Sequence, residues 1–198
     1  MDTFKAILLG QPGMMPKNKL DINFNNLYLV TPCAEYMSSF KEAINEYMAH
    51  RVEEFSYPKL STQKDEKAYL KRIKGYAQGK VPEGFVPSSA FWLVDGQHYL
   101  GSGDVRHHLN DNLRRFGGNI GYSIRPGAWG LGLGTINLAL LIKEAKTLGV
   151  AEPLITCYET NIGSIKIIEK NGGTHIDTVQ NRVKAILTPT RIYQIFEN

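Results

Sequence analysis

A glycine-rich turn is the part of this sequence whose residue types and spacing most directly suggest chemistry. Glycine alternates with leucine over residues 130–134, directly before a long apolar stretch that is predicted to be a helix. Glycine lets the backbone approach a ligand closely, and the first amides of a helix have no partner within the helix. Those amides and the helix dipole attract anions, so the turn is predicted to bind a pyrophosphate. The alternative is a tight strand-to-helix connection with small residues chosen for packing.

Two common nucleotide-binding motifs do not fit this turn. The phosphate loop of NTPases requires a lysine after its last glycine, and Thr135 follows Gly134 here. The dinucleotide fingerprint has the spacing G-x-G-x-x-G after the first strand of a parallel unit. The spacing here is G-x-G-x-G, it lies late in the chain, and predicted antiparallel strands precede it.

Composition is typical of one compact globular domain. The chain has 198 residues, of which 42% are hydrophobic and 21% charged. No apolar run reaches the length of a membrane span, and no secretory signal is expected, so a cytoplasmic location is predicted. Cys33 and Cys157 are too few for a disulfide framework or a zinc site, and no metal is predicted. The net charge of +4 suits a phosphorylated small molecule as well as nucleic acid, and no nucleic-acid motif supports the second partner.

The elements that must position the turn follow from the spacing of apolar residues. Helices are predicted over residues 34–50, 65–78, 135–148 and 161–171, with a short one over 108–116. Strands are predicted over residues 27–30, 90–94, 98–105, 119–124, 154–158, 174–179, 183–187 and 191–196. The early strands form hairpins, and the later strand–helix–strand order implies a parallel pair inside a mixed sheet. Residues 1–26 are predicted to be an extension and residues 27–198 a single domain.

Three segments taken together resemble the GNAT acetyltransferases. They are residues 119–126, the glycine turn, and the stretch from Asn161 through Ser164 to the Glu-Lys-Asn-Gly-Gly of residues 169–173. The resemblance extends from about residue 27 to the end of the chain, and residues 103–122 look like a bacterial subgroup of predicted acetyltransferases. It implies an α/β (α+β) acyl-CoA N-acyltransferase fold, with a mostly antiparallel sheet flanked by helices and a parallel pair at the split between strands four and five.

The resemblance also implies a set of residues that bind acetyl-CoA. The backbone of Ser123, Ile124 and Arg125 would run beside the pantetheine arm, and Asn161 with Ser164 would lie near the thioester. The pyrophosphate would be held at the turn that follows Trp129, by the amides of Gly130, Leu131, Gly132, Leu133, Gly134 and Thr135. Trp129 and Leu131 replace the polar or cationic residues that are usual in the family, so Arg125, Lys166 and Lys170 are the remaining candidate cations.

The catalytic residues are less clear because two family positions carry other residues. Ile168 stands where the family commonly has a proton-donating tyrosine, and Asn119 where many relatives have an acid or histidine. His108, next to His107, is a candidate base, although a polar loop is the simpler interpretation. Tyr122, on the strand beside the thioester, is a candidate catalytic residue, and Tyr158 is a candidate proton donor to the leaving thiolate, although either could be a packing residue.

The sequence therefore predicts an enzyme. The predicted reaction transfers an acetyl group from acetyl-CoA directly to a primary amine of a small molecule or peptide, chiefly by proximity and orientation. The alternative, favoured by Trp129, Asn119 and Ile168, is a regulatory acetyl-CoA-binding module or a catalytically weakened one. A homodimer is left open, and neither a membrane nor nucleic acid is an expected partner.

Overall fold

The computed structural model describes residues 20–52, 58–183 and 186–197. Two short 3-10 turns, Phe24–Asn26 and Pro126–Ala128, accompany the helices and strands. In chain order these are β1 (Tyr28–Val30), α1 (Met37–Ala49), α2 (Gln63–Ala77), β2 (Ser88–Val94), β3 (Tyr99–Arg106), α3 (Asp111–Phe116), β4 (Ile120–Ile124), α4 (Leu133–Thr147), β5 (Leu154–Tyr158), α5 (Ile162–Lys170), β6 (Gly173–Val183) and β7 (Ile186–Ile195). The division into an extension and a domain at residue 27 remains a prediction.

The strands form two antiparallel sheets, in the orders β1-β2-β3-β4 and β5-β7-β6. The predicted fold class, an α/β domain with a mostly antiparallel sheet flanked by helices, is confirmed. The prediction of a hydrogen-bonded parallel pair in one mixed sheet needs correction. β4 and β5 meet only at their starts, where the Asn119 amide donates to Leu154 O at 2.6 Å and Asn119 Oδ1 accepts from Leu154 N at 3.0 Å. Beyond that point β4 pairs with β3 and β5 pairs with β7, which leaves a split between them.

The C-terminal part of the chain forms two long strands, whereas three were predicted. β6 and β7 pair continuously from Gly173↔Ile195 to Val183↔Ile186, with one irregularity near His175. Pro189 lies within β7 opposite Gln180. Its carbonyl faces the β5 side and accepts from Glu159 N at 2.9 Å, just past the end of β5. The nitrogen of Pro189 faces the same side as its carbonyl, beyond the last residue of β5. The missing N–H of the proline therefore removes no hydrogen bond from the β5–β7 ladder.

The helices cover the first sheet on both faces. On one face α1 packs against Trp92 and Tyr99, and α2 adds partly buried side chains such as Leu70. On the other face Leu138 and Leu141 of α4 pack against core residues of the two sheets. The N-terminus of α2 is closed by a capping box between Thr62 and Asp65. The packing of Leu138 and Leu141 fixes α4, the helix that follows the glycine turn, against the sheet that precedes it.

Candidate active site

The glycine turn leads from the end of β4 into α4. Gly130 and Gly132 have φ angles of 78° and 80°, a left-handed conformation that favours glycine. A Cβ atom added at either position would meet nothing within 4 Å, so backbone conformation and not crowding accounts for these glycines. Within the described residues, the N–H groups of residues 130–134 donate no hydrogen bond. Five successive amides at a helix N-terminus are therefore available to an anionic ligand.

The sixth predicted amide is already paired. The Thr135 N–H donates to Gly132 O at 3.1 Å, inside the first turn of α4. The Thr135 carbonyl accepts from Asn171 Nδ2 at 3.2 Å, which ties the end of α5 to the start of α4. Gly134 allows α5 to pack closely against α4, because a Cβ at this position would lie 2.6 Å from Ile167 Cδ1. Thr135 and Gly134 thus hold the two helices together beside the turn.

A cavity of about 500 Å³ runs along β4, the turn and the two helices. It contains most of the side chains and backbone that the sequence assigned to acetyl-CoA. The lining residues are Tyr47, Val52, Tyr122, Ser123, Ile124, Ala128, Trp129, Gly130, Gly132, Leu133, Gly134, Thr135, Asn161, Gly163, Ser164 and Ile167. Of the predicted cofactor residues, Arg125 and Leu131 are not among them.

Arg125 braces the fold instead of facing the cavity. Its side chain is 2% exposed and pairs with Glu46 of α1. The guanidinium also donates to Ser39 Oγ at 3.2 Å and to Tyr99 O at 3.0 Å. Its backbone N–H donates to Leu100 O at 2.9 Å within the sheet. The Arg125 guanidinium, one of the candidate cations, therefore directs its donors to α1 and β3 and does not line the cavity along the turn.

Glu46 of α1 contacts two residues of the segment between β4 and the glycine turn, Arg125 and Gly127. Besides Arg125, it accepts a hydrogen bond from Gly127 N at 2.8 Å through Oε2. A Cβ at Gly127 would lie 3.0 Å from the same oxygen, so the glycine permits the close approach. Sequence reasoning missed Glu46 because an acid on a helix gives no signal of a partner 79 positions away.

The hydroxyl groups beside β4 form a chain that also reaches α1. Tyr47 donates to Ser123 Oγ at 3.2 Å, and Ser123 Oγ lies 2.9 Å from Ser102 Oγ. Burial raises the pKa of Tyr47 to about 12, against the opposing effect of its hydrogen bond to Ser123. Tyr47 was interpreted from sequence only as part of the apolar stripe of a helix. Its ring does pack in the core, but its hydroxyl reaches the cavity wall.

A second, smaller cavity of about 220 Å³ opens between β4 and β5. Tyr158 and Cys157 of β5 and Phe116 of α3 contribute to its lining. Tyr122, Asn161 and Ser164 line both this cavity and the larger one. The two cavities therefore adjoin at these three residues, one following the glycine turn and the other entering through the strand split.

Tyr122 has an unusual position at this junction. Its hydroxyl is buried and forms no hydrogen bond with any described residue. Burial raises the pKa of Tyr122 to about 12. The phenol is therefore protonated at neutral pH and can donate a hydrogen bond or a proton, but it cannot act as a base there. Asn161 caps α5 beside it, since its Oδ1 accepts from Ser164 N at 3.0 Å.

The other predicted catalytic position, His108, lies away from both cavities. β3 ends at Arg106, so His108 falls in the exposed loop before α3. The neighbouring His107 ring lies 2.9 Å from Ser89 Oγ through Nε2. The candidate base predicted at His108 is therefore corrected: the residue lines neither cavity, whereas the other two predicted catalytic residues, Tyr122 and Tyr158, do line the smaller one.

The two departures from the family pattern are both structural in this fold. Asn119 is 5% exposed, and its side chain bridges Leu154 N and Arg106 O, at 3.0 and 3.1 Å. Ile168 is fully buried in the core between α5 and the second sheet. No residue that lines either cavity carries a carboxylate, an imidazole, an ammonium or a guanidinium among the described residues. The site is neutral apart from its backbone dipoles.

Two further observations concern the chain as described. In residues 20–52, 58–183 and 186–197, no group of three or more His, Cys, Asp or Glu residues could hold a metal ion. Over the same ranges no helix has the length and apolar character of a membrane span.

Comparison with known proteins identifies the family. The family model described as an acetyltransferase (GNAT) domain matches residues 27–174. No curated protein matches the sequence. Among solved structures, the microcin C7 self-immunity acetyltransferase MccE in complex with acetyl-CoA and AMP is 17% identical, with a TM-score of 0.63, over 86% of this chain and 92% of that one.

Two acetyltransferases that act on ribosomal proteins have a similar fold. The ribosomal L7/L12 alpha-N-protein acetyltransferase in complex with coenzyme A is 13% identical, with a TM-score of 0.65, over 86% of this chain and 94% of that one. The ribosomal-protein-S5-alanine acetyltransferase of Vibrio fischeri is 15% identical, with a TM-score of 0.61, over 87% and 94%. At these identities the structures establish a shared fold, while the match over residues 27–174 establishes the family. The chain belongs to the GNAT family and is an N-acetyltransferase by that membership.

Proposed function

We propose that the protein transfers the acetyl group of acetyl-CoA to a primary amine of a small molecule or a peptide. The observation that carries this proposal is the meeting of two cavities at Tyr122, Asn161 and Ser164. One cavity follows five unpaired amides at a helix N-terminus, and the other opens separately through the strand split. Two substrates could thus enter from different directions and meet at one place, which is what a direct transfer requires.

The larger cavity suits the donor. A pyrophosphate would be held by the amides of residues 130–134, which need no side-chain charge to attract an anion. The backbone of Ser123 and Ile124 would flank the pantetheine arm, and Asn161 would lie near the thioester. Similar proteins support the donor's identity, since MccE was solved with acetyl-CoA and AMP and the L7/L12 enzyme with coenzyme A.

The smaller cavity suits a neutral amine. The amine nitrogen would attack the thioester carbonyl, forming a C–N bond as the C–S bond breaks. Its surplus proton would leave to water, because no described lining residue is a carboxylate or imidazole. Tyr122 would give a proton to the departing thiolate and would regain one from solvent, with Tyr158 as the alternative. The similar ribosomal-protein acetyltransferases support a peptide or protein end as the acceptor class.

Isothermal titration with acetyl-CoA, followed by mass spectrometry of an amine and peptide library, tests the proposal. We expect acetyl-CoA to bind and acetyl-pantetheine, which lacks the pyrophosphate, to bind more weakly. We also expect a mass gain of one acetyl group on at least one primary amine. A protein that binds no acetyl-CoA would contradict the proposal outright.

One observation favours a second candidate, a binding module with little turnover. The neutral linings provide no general base among the described residues. Acetyl-CoA binding in the titration without acetylation of any amine would support this second candidate over the first.

A further inference from the structure

The positive charge of the chain is concentrated around α2. Residues 59–80 contain seven basic and two acidic side chains, a net charge of +5, whereas the whole chain carries +4. The rest of the sequence is therefore slightly acidic, at −1. Such an asymmetry within one chain marks a surface that attracts an anionic partner.

Four lysines of α2 form one row. Lys64, Lys67, Lys71 and Lys74 follow at spacings of three and four residues, so they share a helix face over about 15 Å. All four are exposed, and none forms an ion pair or hydrogen bond with a described residue. The two acids of the helix are otherwise engaged, since Asp65 caps the helix and Glu66 pairs with Lys41 at 2.7 Å. The lysine row is therefore an uncompensated positive surface in the described part of the chain.

Beside this row lies an unpaired sheet edge. β1 covers β2 only from Trp92 to Val94, because β1 ends at Val30 before Thr31 and Pro32. Residues 88–91 of β2 pair with β3 on one side and with no described strand on the other. The backbone groups along this edge are a template for another strand.

A groove of about 530 Å³ separates this edge from α2. Its walls are mostly apolar, with two of the row's lysines at the helix side. The lining residues are Thr31, Pro32, Leu70, Lys71, Ile73, Lys74, Ala77, Ser89, Ala90 and Phe91. The groove thus combines a strand edge, apolar walls and positive charge in one place.

We propose that this groove docks an extended acidic segment of a partner protein. The segment would add to the free edge of β2 as a strand in line with β1, and its backbone would pair with residues 88–91. Its acidic side chains would meet Lys71 and Lys74 on the helix side of the groove, and its apolar side chains would alternate with them on the other face of the strand. Backbone pairing and apolar walls suit a polypeptide, whereas a nucleic acid could use the lysines alone.

The chain's own N-terminus is a poor occupant. Residues 1–19 contain one acid, Asp2, and three lysines, so the lysine row would repel them. The surface is also separate from the proposed acetyl-CoA site, since the two linings have no residue in common. Loss of peptide docking and loss of acetyl-CoA binding can therefore be told apart in the same protein.

Fluorescence anisotropy with a labelled peptide of about eight alternating Glu and Val residues tests the proposal, at two salt concentrations. Its N-terminus is blocked so that it cannot be an acceptor. We expect binding that weakens with salt and that falls by about tenfold in the double variant Lys71→Glu/Lys74→Glu. Ala77→Tyr, which fills the groove without changing charge, should also weaken binding.

The matched control is Lys143→Glu/Lys146→Glu on α4, which makes the same charge change at the same spacing on exposed lysines. It should bind the peptide as the wild type does, and all variants should retain wild-type acetyl-CoA affinity and thermal midpoint. A peptide N-methylated at alternate backbone nitrogens should bind more weakly. Equal loss in the α4 control, indifference to N-methylation, or tighter binding of a single-stranded RNA of similar charge would each overturn the proposal.

Discussion

Trp129 Nε1 donates a hydrogen bond to the carbonyl oxygen of Ile124 at 2.7 Å. The indole is 50% exposed, lines the larger cavity, and meets the His50 ring edge-on at a centroid distance of 5.3 Å. Ile124 is one of the β4 residues whose backbone is proposed to flank the pantetheine arm. The tryptophan that replaces a polar family residue therefore occupies an acceptor that the proposed ligand would use.

Trp129→Phe is expected to bind acetyl-CoA about fivefold more tightly than the wild type. Phenylalanine keeps an aromatic ring at this position but has no N–H, so no indole hydrogen bond has to be broken when the ligand binds. One such hydrogen bond is worth about 1 kcal/mol. Titration calorimetry measures the change. Tryptophan fluorescence gives a second reading, because the other tryptophan, Trp92, is only 2% exposed in the core. A signal that acetyl-CoA does not alter, together with unchanged affinity in the variant, would contradict this role of the indole.

Gly132→Ala is expected to lower acetyl-CoA affinity by at least about tenfold. The left-handed backbone at a φ of 80° disfavours alanine by roughly 1–2 kcal/mol, and relaxation would turn the adjacent amides away from the pyrophosphate. Gly149→Ala is the matched control, because its φ is 83° and a Cβ there also meets nothing within 4 Å. Both variants should lose similar unfolding free energy, and only the first should lose affinity. Equal affinity in the two would exclude the amide site.

The order of elements and the glycine turn could be predicted because both depend on local sequence. Apolar spacing located α1, α2, α4 and α5, and β5 was predicted with its observed bounds. The position of His108 could not be predicted, because it depends on where β3 ends relative to the split. The two-sheet arrangement depends on which partners β4 and β5 choose, which is a tertiary property.

The partners of charged side chains could not be predicted from the sequence either. Arg125 follows directly after β4, so its place in the chain suggested a ligand cation. The structure pairs it with Glu46, which lies on a helix 79 positions earlier. A pairing over such a distance leaves no trace in the spacing of a single sequence. The same holds for the hydroxyl contact between Tyr47 and Ser123.

Glu46→Ala is expected to lower the free energy of unfolding by about 3 kcal/mol, since it leaves the buried guanidinium of Arg125 without its carboxylate. The variant should also weaken acetyl-CoA binding, because Gly127 loses its anchor before the turn. Glu66→Ala removes the more exposed pair with Lys41 and should cost at most about 1 kcal/mol. Urea unfolding compares the two. Similar losses would show that the Arg125 pair is not buried in solution.

Tyr122→Phe is expected to reduce kcat by about a hundredfold with little change in acetyl-CoA affinity. The phenol is proposed to protonate the departing thiolate, a role that a packing residue would not have. Stability separates the two roles, because the hydroxyl is buried without a partner among the described residues. Its removal should therefore leave the thermal midpoint unchanged or slightly raised. Tyr158→Phe is the comparison, and a larger loss of kcat there would reassign the donor to β5.

The pH dependence of kcat/KM is expected to follow the acceptor amine and not the protein. No described lining residue carries a carboxylate, an imidazole or an amine, and burial keeps Tyr122 protonated until its pKa of about 12. A peptide α-amine should give a rate that rises to a plateau above about pH 8, while a lysine-like amine should continue to rise toward about pH 10. Initial rates with the two acceptors across this range make the comparison. An inflection near pH 6.5 common to both would instead indicate a general base on the protein, such as a histidine that reaches the site.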